Sequence, residues 1–216
     1  MHTLGNEELL RIHRYLPVTE AEGPGRRAAL WVQGCPIRCP GCANRPTWSF
    51  SGGELVSVAA LFKRIKRQQD IQGVTFVGGE PFSQASALAH LGRICQAIGL
   101  SVVTFTGYDY ENVKRANRRD WNGLLAVTDL LLAGPFIQEQ RDFSRPWVGS
   151  RNQEFIFLTD RYRHLRNGNC RIENGLEIRT DQWGNLLVNG LVPAEHVLAF
   201  RQELSALGLR TNEEPV

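Results

Sequence analysis

Three cysteines within eight residues, Cys35, Cys39 and Cys42 in the segment CPIRCPGC, are the side chains of this protein best suited to chemistry. Thiolates separated by three and two residues can wrap a compact iron–sulfur core. The pattern supplies three ligands to a cubane of four irons, so one iron is left for a small molecule to chelate, much as a catalytic zinc keeps one position open. Zinc and core packing are the competing readings. A zinc site wants a fourth ligand nearby, and the nearest candidates, His90 and Cys95, fall in a predicted helix far along the chain. Packing accounts poorly for three cysteines in a loop that also holds Pro36, Pro40 and Gly41. Cys95, on an apolar helix face, and Cys170, in a polar loop, read as structural.

The elements that must position this loop follow from hydrophobic patterning. RAALWVQGC (27–35) is an apolar run that reads as a buried strand leading straight into the cysteines. GVTFVGGEP (73–81) and GLSVVTFTGY (99–108) are two more such strands, and LLAVTDLLLAGPF (124–136) carries a fourth. Between them Leu55, Val58, Leu61, Phe62 and Ile65 recur at helical spacing. Ser83 suits the cap of a helix with Leu88, Leu91, Cys95 and Ile98, and 110–125 reads as a helix with Val113, Trp121 and Leu124 inward. Strand alternating with helix predicts an α/β fold whose parallel sheet is either open and doubly wound or part of a β/α barrel. Both architectures place functional loops at the carboxyl ends of strands, where the cysteine loop, GGEP, TGY and AGPF all fall. The segment 137–153 reads as irregular, EFIFLT (154–159) as a fifth strand, and LEIRTDQWGNLLVNG (176–190) as a hairpin. A last helix follows, opened by Pro193, with Val197, Phe200, Leu204 and Leu207 on one face.

Composition narrows the class. A chain of 216 residues, 42% hydrophobic, is the size of one domain, and the expectation is a single domain over 1–216 with no repeat or low-complexity tract. No apolar run is long enough to span a bilayer, the N-terminus MHTLGNEELLRIHRYL does not read as a secretory signal, and five cysteines without such a signal argue against a disulfide framework. The cytoplasm is the expected location. A formal charge of +3 does not imply a nucleic-acid partner. The basic runs KRIKR (63–67), KRANRR (114–119) and RYRHLR (161–166) read as solvated faces, or as docking sites for an acidic protein.

C-x3-C-x2-C followed by GGEP at the end of the next predicted strand resembles the radical S-adenosylmethionine superfamily. The resemblance implies that Cys35, Cys39 and Cys42 hold a 4Fe-4S cluster and that S-adenosylmethionine chelates its open iron. It also implies that Gly78, Gly79, Glu80 and Pro81 lie beside the methionine amino group. Glycine suits that place because, without a side chain, its backbone carbonyl can approach an ammonium closely. Gly41 and Ala43 flank the last cysteine, where the superfamily brings backbone near the adenine. A narrower resemblance, carried by GPGRRAALWVQGCPIRCPGCANRPTW, FVGGEPFSQ, TFTGY, DLLLAGPFIQEQRDFS and WVGSRNQ in that order, is to the activating proteins of glycyl radical enzymes, especially anaerobic ribonucleotide reductase.

That family implies a partial (β/α) barrel with outer helices, here with the C-terminal hairpin and helix (about 176–207) added. It implies a large protein substrate, a backbone glycine of which loses a hydrogen atom, and a flavodoxin- or ferredoxin-like reductant. Ala133 and Glu154 depart from it, standing where these activators often carry an acidic and a basic residue respectively. Thr104, Thr106 and Asp129, in or at the ends of the third and fourth strands, are further candidates to hydrogen-bond the cofactor, and Arg151 and Asn152 to contact its carboxylate or ribose. No acid–base pair or nucleophile is needed. The rival functions are direct action on a small molecule or peptide, and a non-catalytic electron carrier or zinc-stabilised module.

Overall fold

The computed structural model describes residues 8–166, 174–180, 186–191 and 194–206. Its centre is a seven-stranded sheet of order β3-β1-β2-β4-β5-β6-β7, built from β1 (Leu9–Thr19), β2 (Arg27–Val32), β3 (Glu54–Ser57), β4 (Gly73–Gly78), β5 (Ser101–Thr106), β6 (Leu130–Ala133) and β7 (Glu154–Phe157). The pairs β2–β4, β4–β5 and β5–β6 are parallel. The outer pairs β1–β2, β1–β3 and β6–β7 are antiparallel, so the fold is mixed α/β around a parallel centre. A separate antiparallel hairpin, β8 (Leu176–Thr180) with β9 (Leu186–Gly190), occupies the predicted place.

Helices α1 (Val58–Lys66), α2 (Ala85–Gln96), α3 (Tyr110–Ala116) and α4 (Arg119–Ala126) precede the final α5 (Ala194–Ala206). Alternation along each strand divides the core by sheet face. Leu30, Val32, Phe76, Val102 and Leu131 join the helix side with Leu61, Ile65, Leu88, Leu91 and Leu124. Ala29, Trp31, Val77, Val103 and Leu132 turn to the opposite face. Each fully buried aliphatic side chain contributes about 1.5–3 kcal/mol.

Several expectations change in detail. Leu55 lies on β3 and is exposed, not on α1, whose start is capped by the Ser57 side chain. Ser83 caps nothing: the Glu80 side chain accepts from Phe82 N and caps a short 3-10 turn, Pro81–Gln84, ahead of α2. The helix expected over 110–125 breaks at Asn117, whose left-handed backbone (φ 44°) separates α3 from α4. The fifth strand, β7, is antiparallel, because 137–153 begins and ends at the edge where β6 finishes and holds no α-helix to carry the chain back across the sheet. Strand β1 is an addition: its alternation is interrupted by register shifts between Ile12 and Arg14 and between Leu16 and Thr19. Phe200 is half-buried and Leu204 buried on α5, whereas Cys170, Pro193 and Leu207 lie outside the described residues.

Candidate functional site

Because β2, β4, β5 and β6 run parallel, the cysteine loop, GGEP, TGY and AGPF leave the sheet at one edge. The cysteine loop is closed on itself by backbone: Gly34 N donates to Thr47 O at 2.7 Å, Cys35 N to Trp48 O at 3.1 Å, and Cys42 N to Cys39 O at 3.1 Å. Buried Gln33 braces the return, its amide donating to Pro46 O and Ser49 O at 3.0 and 2.7 Å. Asn44 N lies 3.4 Å from Cys42 Sγ, a backbone donor aimed at a sulfur. Positive φ at Arg38 (53°) and Gly41 (77°) turns the chain between the cysteines. At Gly41 a Cβ would fall 2.7 Å from the Gln138 side chain and 3.1 Å from Phe136.

GGEP is joined to this loop by main chain. Gly79 N donates to Val32 O and Glu80 N to Gly34 O, both at 2.9 Å. A Cβ at Gly79 would lie 2.5 Å from Gly34 O, and one at Gly78 2.7 Å from Trp31 Cα, so only glycine permits this approach of backbone to backbone. The carboxylate of Glu80, fully buried, ties β4 to β5. It accepts from Phe82 N (2.9 Å) and Thr106 Oγ1 (3.0 Å) on Oε1, and from Gly107 N (2.9 Å) on Oε2. Burial raises its pKa from 4.5 to about 7 in spite of those donors.

Cys35, Cys39 and Cys42 line one cavity of about 700 Å3 together with Gly41, Ala43, Gly78, Gly79, Glu80 and Thr106. A volume of that order suits a cofactor-sized ligand. All three cysteines are half-buried, and burial raises the pKa of Cys35 and Cys39. Among the described residues no three His, Cys, Asp or Glu side chains are grouped as ligands of one metal ion. A cubane asks something different, since each thiolate takes its own iron. Three thiols lining one cavity, with the backbone of Gly78 and Gly79 bordering the same space, fit a cluster carrying a chelated small molecule.

Three of the expected residues do not line the cavity: Pro81, buried at the start of the turn Pro81–Gln84, Thr104 and Asp129. Asp129 stands before the start of β6, at the edge opposite the cysteines, accepting from Val102 N at 2.8 Å and Thr159 Oγ1 at 2.7 Å. Thr104 faces Thr128, with 2.9 Å between the hydroxyls, and does not line the cavity. Both satisfy local polar groups, as buried hydroxyls and carboxylates must. Arg151 and Asn152 do not line it either: Asn152 donates to Pro135 O at 2.7 Å, and the neighbouring Gln153 reaches the cavity instead. The cavity also takes side chains that the motifs do not include, among them Trp31 and Val77 on the floor, Arg14 on β1, Glu22 just after it, and Asn189 on β9. Trp31 and Val77 were legible as the outward alternation of strands whose inward faces build the core. Arg14, Glu22 and Asn189 carried no local signal, because only tertiary contact brings them together.

Comparison with known proteins matches residues 21–156 to the family model described as "4Fe-4S single cluster domain". The anaerobic ribonucleoside-triphosphate reductase-activating protein of Salmonella typhimurium is 32% identical over 152 residues, covering 67% of this chain and 96% of that protein. Its counterpart in Haemophilus influenzae is 33% identical over 156 residues, covering 65% and 93%. The pyruvate formate-lyase-activating enzyme of Clostridium pasteurianum is 32% identical over 128 residues, covering 56% of this chain and 50% of that enzyme.

Proposed function

The chain belongs to the 4Fe-4S single cluster domain family together with the anaerobic ribonucleoside-triphosphate reductase-activating proteins, and on that premise we propose that it is a radical S-adenosylmethionine activating enzyme. In this reading Cys35, Cys39 and Cys42 each ligate one iron of a 4Fe-4S cluster, and S-adenosylmethionine occupies the fourth. When bound, the reduced cluster and cofactor supply a 5′-deoxyadenosyl radical able to take a hydrogen atom from a glycine of a protein substrate.

The remaining work is the protein's own. Gly78 and Gly79 present backbone where the cofactor's amino group would lie, and Gly41 and Ala43 border the space next to the last thiolate. Glu80 and Thr106 hold GGEP and TGY in fixed relation, and Trp31, Val77 and Phe105 form an apolar floor that keeps water from the reacting atoms. The cavity face of the sheet, opposite the helices, also supports the partial (β/α) barrel reading. A flavodoxin- or ferredoxin-like reductant would donate the electron.

The observation that carries the proposal is the shared cavity, lined by the three thiols and by Gly78 and Gly79 of the adjoining GGEP segment, in the span that matches the family. The test is anaerobic incubation of the reconstituted chain, S-adenosylmethionine and dithionite with an anaerobic ribonucleotide reductase, read by electron paramagnetic resonance. A glycine-centred radical that needs all three components supports the activase reading. Formation of 5′-deoxyadenosine with no radical on the reductase directs attention to a different substrate.

A further inference from the structure

The cavity has a second wall, and that wall comes from residues outside the matched span 21–156. Strand β1 contributes His13 and Arg14, the hairpin contributes Leu176, Val188 and Asn189, and α5 contributes Leu198. These face the floor formed by Trp31, Val77 and Phe105. The hairpin is thus suspended over the sheet face that carries the chemistry, although neither of its strands joins the seven-stranded sheet.

Two clasps hold it there. At its start, Asn174 donates to Phe143 O and Arg145 O at 2.9 and 2.7 Å and accepts from Trp147 N at 2.8 Å. At its far strand, Arg14 Nη2 donates to Asn189 Oδ1 at 2.8 Å, with the guanidinium 4.5 Å over the Trp31 ring. Asn189 Nδ2 donates to Thr19 Oγ1 at 3.1 Å, and Thr19 Oγ1 donates to Glu177 Oε2 at 2.6 Å. Asn189 is 5% exposed and Thr19 fully buried, so the bond between them is shielded from competing water.

Resting on the functional reading above, we propose that the β8–β9 hairpin is the substrate-selecting wall of this site and that Asn189 is the positioning residue holding it over the floor. A two-stranded ribbon leaves N–H and C=O groups unpaired along its outer edges. An extended peptide can add to such an edge, its main chain bonded and its side chains sorted by the walls. On this reading the hairpin admits a protein segment in extended conformation and keeps freely diffusing hydrogen donors from the floor.

The test compares the wild-type chain with Asn189→Ala and Thr19→Val, two independent cuts in the same clasp. Amide hydrogen exchange on the cluster-free chain reads the wall directly: several-fold faster exchange in 176–180 and 186–190, with the strands β4 and β5 unchanged, is expected in both variants. Reconstituted chains are then given S-adenosylmethionine, dithionite and perdeuterated glycerol. If the wall yields, one C–D bond of glycerol breaks as one forms in 5′-deoxyadenosine, the unpaired electron passes to glycerol, and dithionite supplies the electron that opens the cofactor. Deuterium in 5′-deoxyadenosine should rise at least threefold over wild type in both variants, with total 5′-deoxyadenosine within about twofold. A fold merely weakened would lower the total without changing the isotope fraction. Equal deuterium fractions and equal hairpin exchange in all three chains overturn the proposal alone, whereas a wild type that makes no 5′-deoxyadenosine overturns the functional reading and this proposal with it.

Discussion

Replacing Glu80 by Gln should make the stability difference from wild type depend on pH, with a sign set by burial. In the folded protein the Glu80 carboxyl titrates at about 7 rather than 4.5. Between those values the unfolded chain binds fewer protons than the native one, so stability falls as pH rises through this window. At 1.36 kcal/mol for each pH unit, the loss approaches about 3 kcal/mol above pH 7. The amide of the Glu80→Gln variant has no charge to acquire. Its oxygen can still accept from Phe82 N and Thr106 Oγ1, but its NH2 would face the Gly107 N–H that Oε2 now satisfies. A buried donor left without a partner costs about 1–3 kcal/mol. At pH 5 the variant should therefore be the less stable by that amount, and by pH 8 the gap should shrink by about 3 kcal/mol and close or reverse. Urea unfolding of cluster-free protein at pH 5, 6, 7 and 8, followed by tryptophan fluorescence, gives the difference. Glu22, also raised to about 7 by burial, is common to both proteins and cancels. A stability difference that stays constant across this range would refute the reasoning.

Gly79→Ala places a methyl 2.5 Å from Gly34 O, a backbone atom that cannot swing aside, so the GGEP and cysteine loops must move apart. The expected cost is about 1–3 kcal/mol of overpacking, with S-adenosylmethionine binding, measured by equilibrium dialysis on reconstituted protein, falling at least tenfold. Arg27→Met removes a fully buried guanidinium that donates to Thr75 Oγ1, Pro24 O, Val74 O and Tyr162 OH at the edge opposite the cysteines. Several acceptors left unpaired should cost on the order of 3–5 kcal/mol, or roughly 10 °C in Tm, while 5′-deoxyadenosine formation per folded molecule stays unchanged.

The four parallel strands were readable because each is a short apolar run closed by glycine or by a chemically distinctive loop, and the carboxyl-end rule then grouped those loops without knowledge of the register. Three features escaped that reading for physical reasons. The alternation of β1 is broken by two register shifts, so LLRIHRYLPVT does not keep period two. Asn117 adopts a left-handed conformation that Asn tolerates, and the single helix read over 110–125 becomes two. Asp129 reads as a cofactor ligand because it borders a buried strand, but it lies at that strand's beginning, and direction along the strand decides which edge a residue serves. The cysteine loop and GGEP were legible as motifs. Their mutual support was not, because it runs through Gly79 N to Val32 O and Glu80 N to Gly34 O, bonds that leave no trace in side-chain pattern. The Arg14–Asn189–Thr19 clasp was invisible for the same reason, joining residues about 170 positions apart through polar groups that read locally as surface.

The central claim is that Cys35, Cys39 and Cys42 each ligate one iron of a cluster whose remaining iron binds S-adenosylmethionine. It is tested most directly by anaerobic reconstitution of wild type and Cys39→Ala with iron and sulfide, followed by dithionite and S-adenosylmethionine. The wild-type chain should produce 5′-deoxyadenosine and methionine in equal amounts, and Cys39→Ala should produce neither above the protein-free background. Continued 5′-deoxyadenosine formation by Cys39→Ala, or none from a wild-type chain carrying a full complement of iron and sulfide, would contradict it.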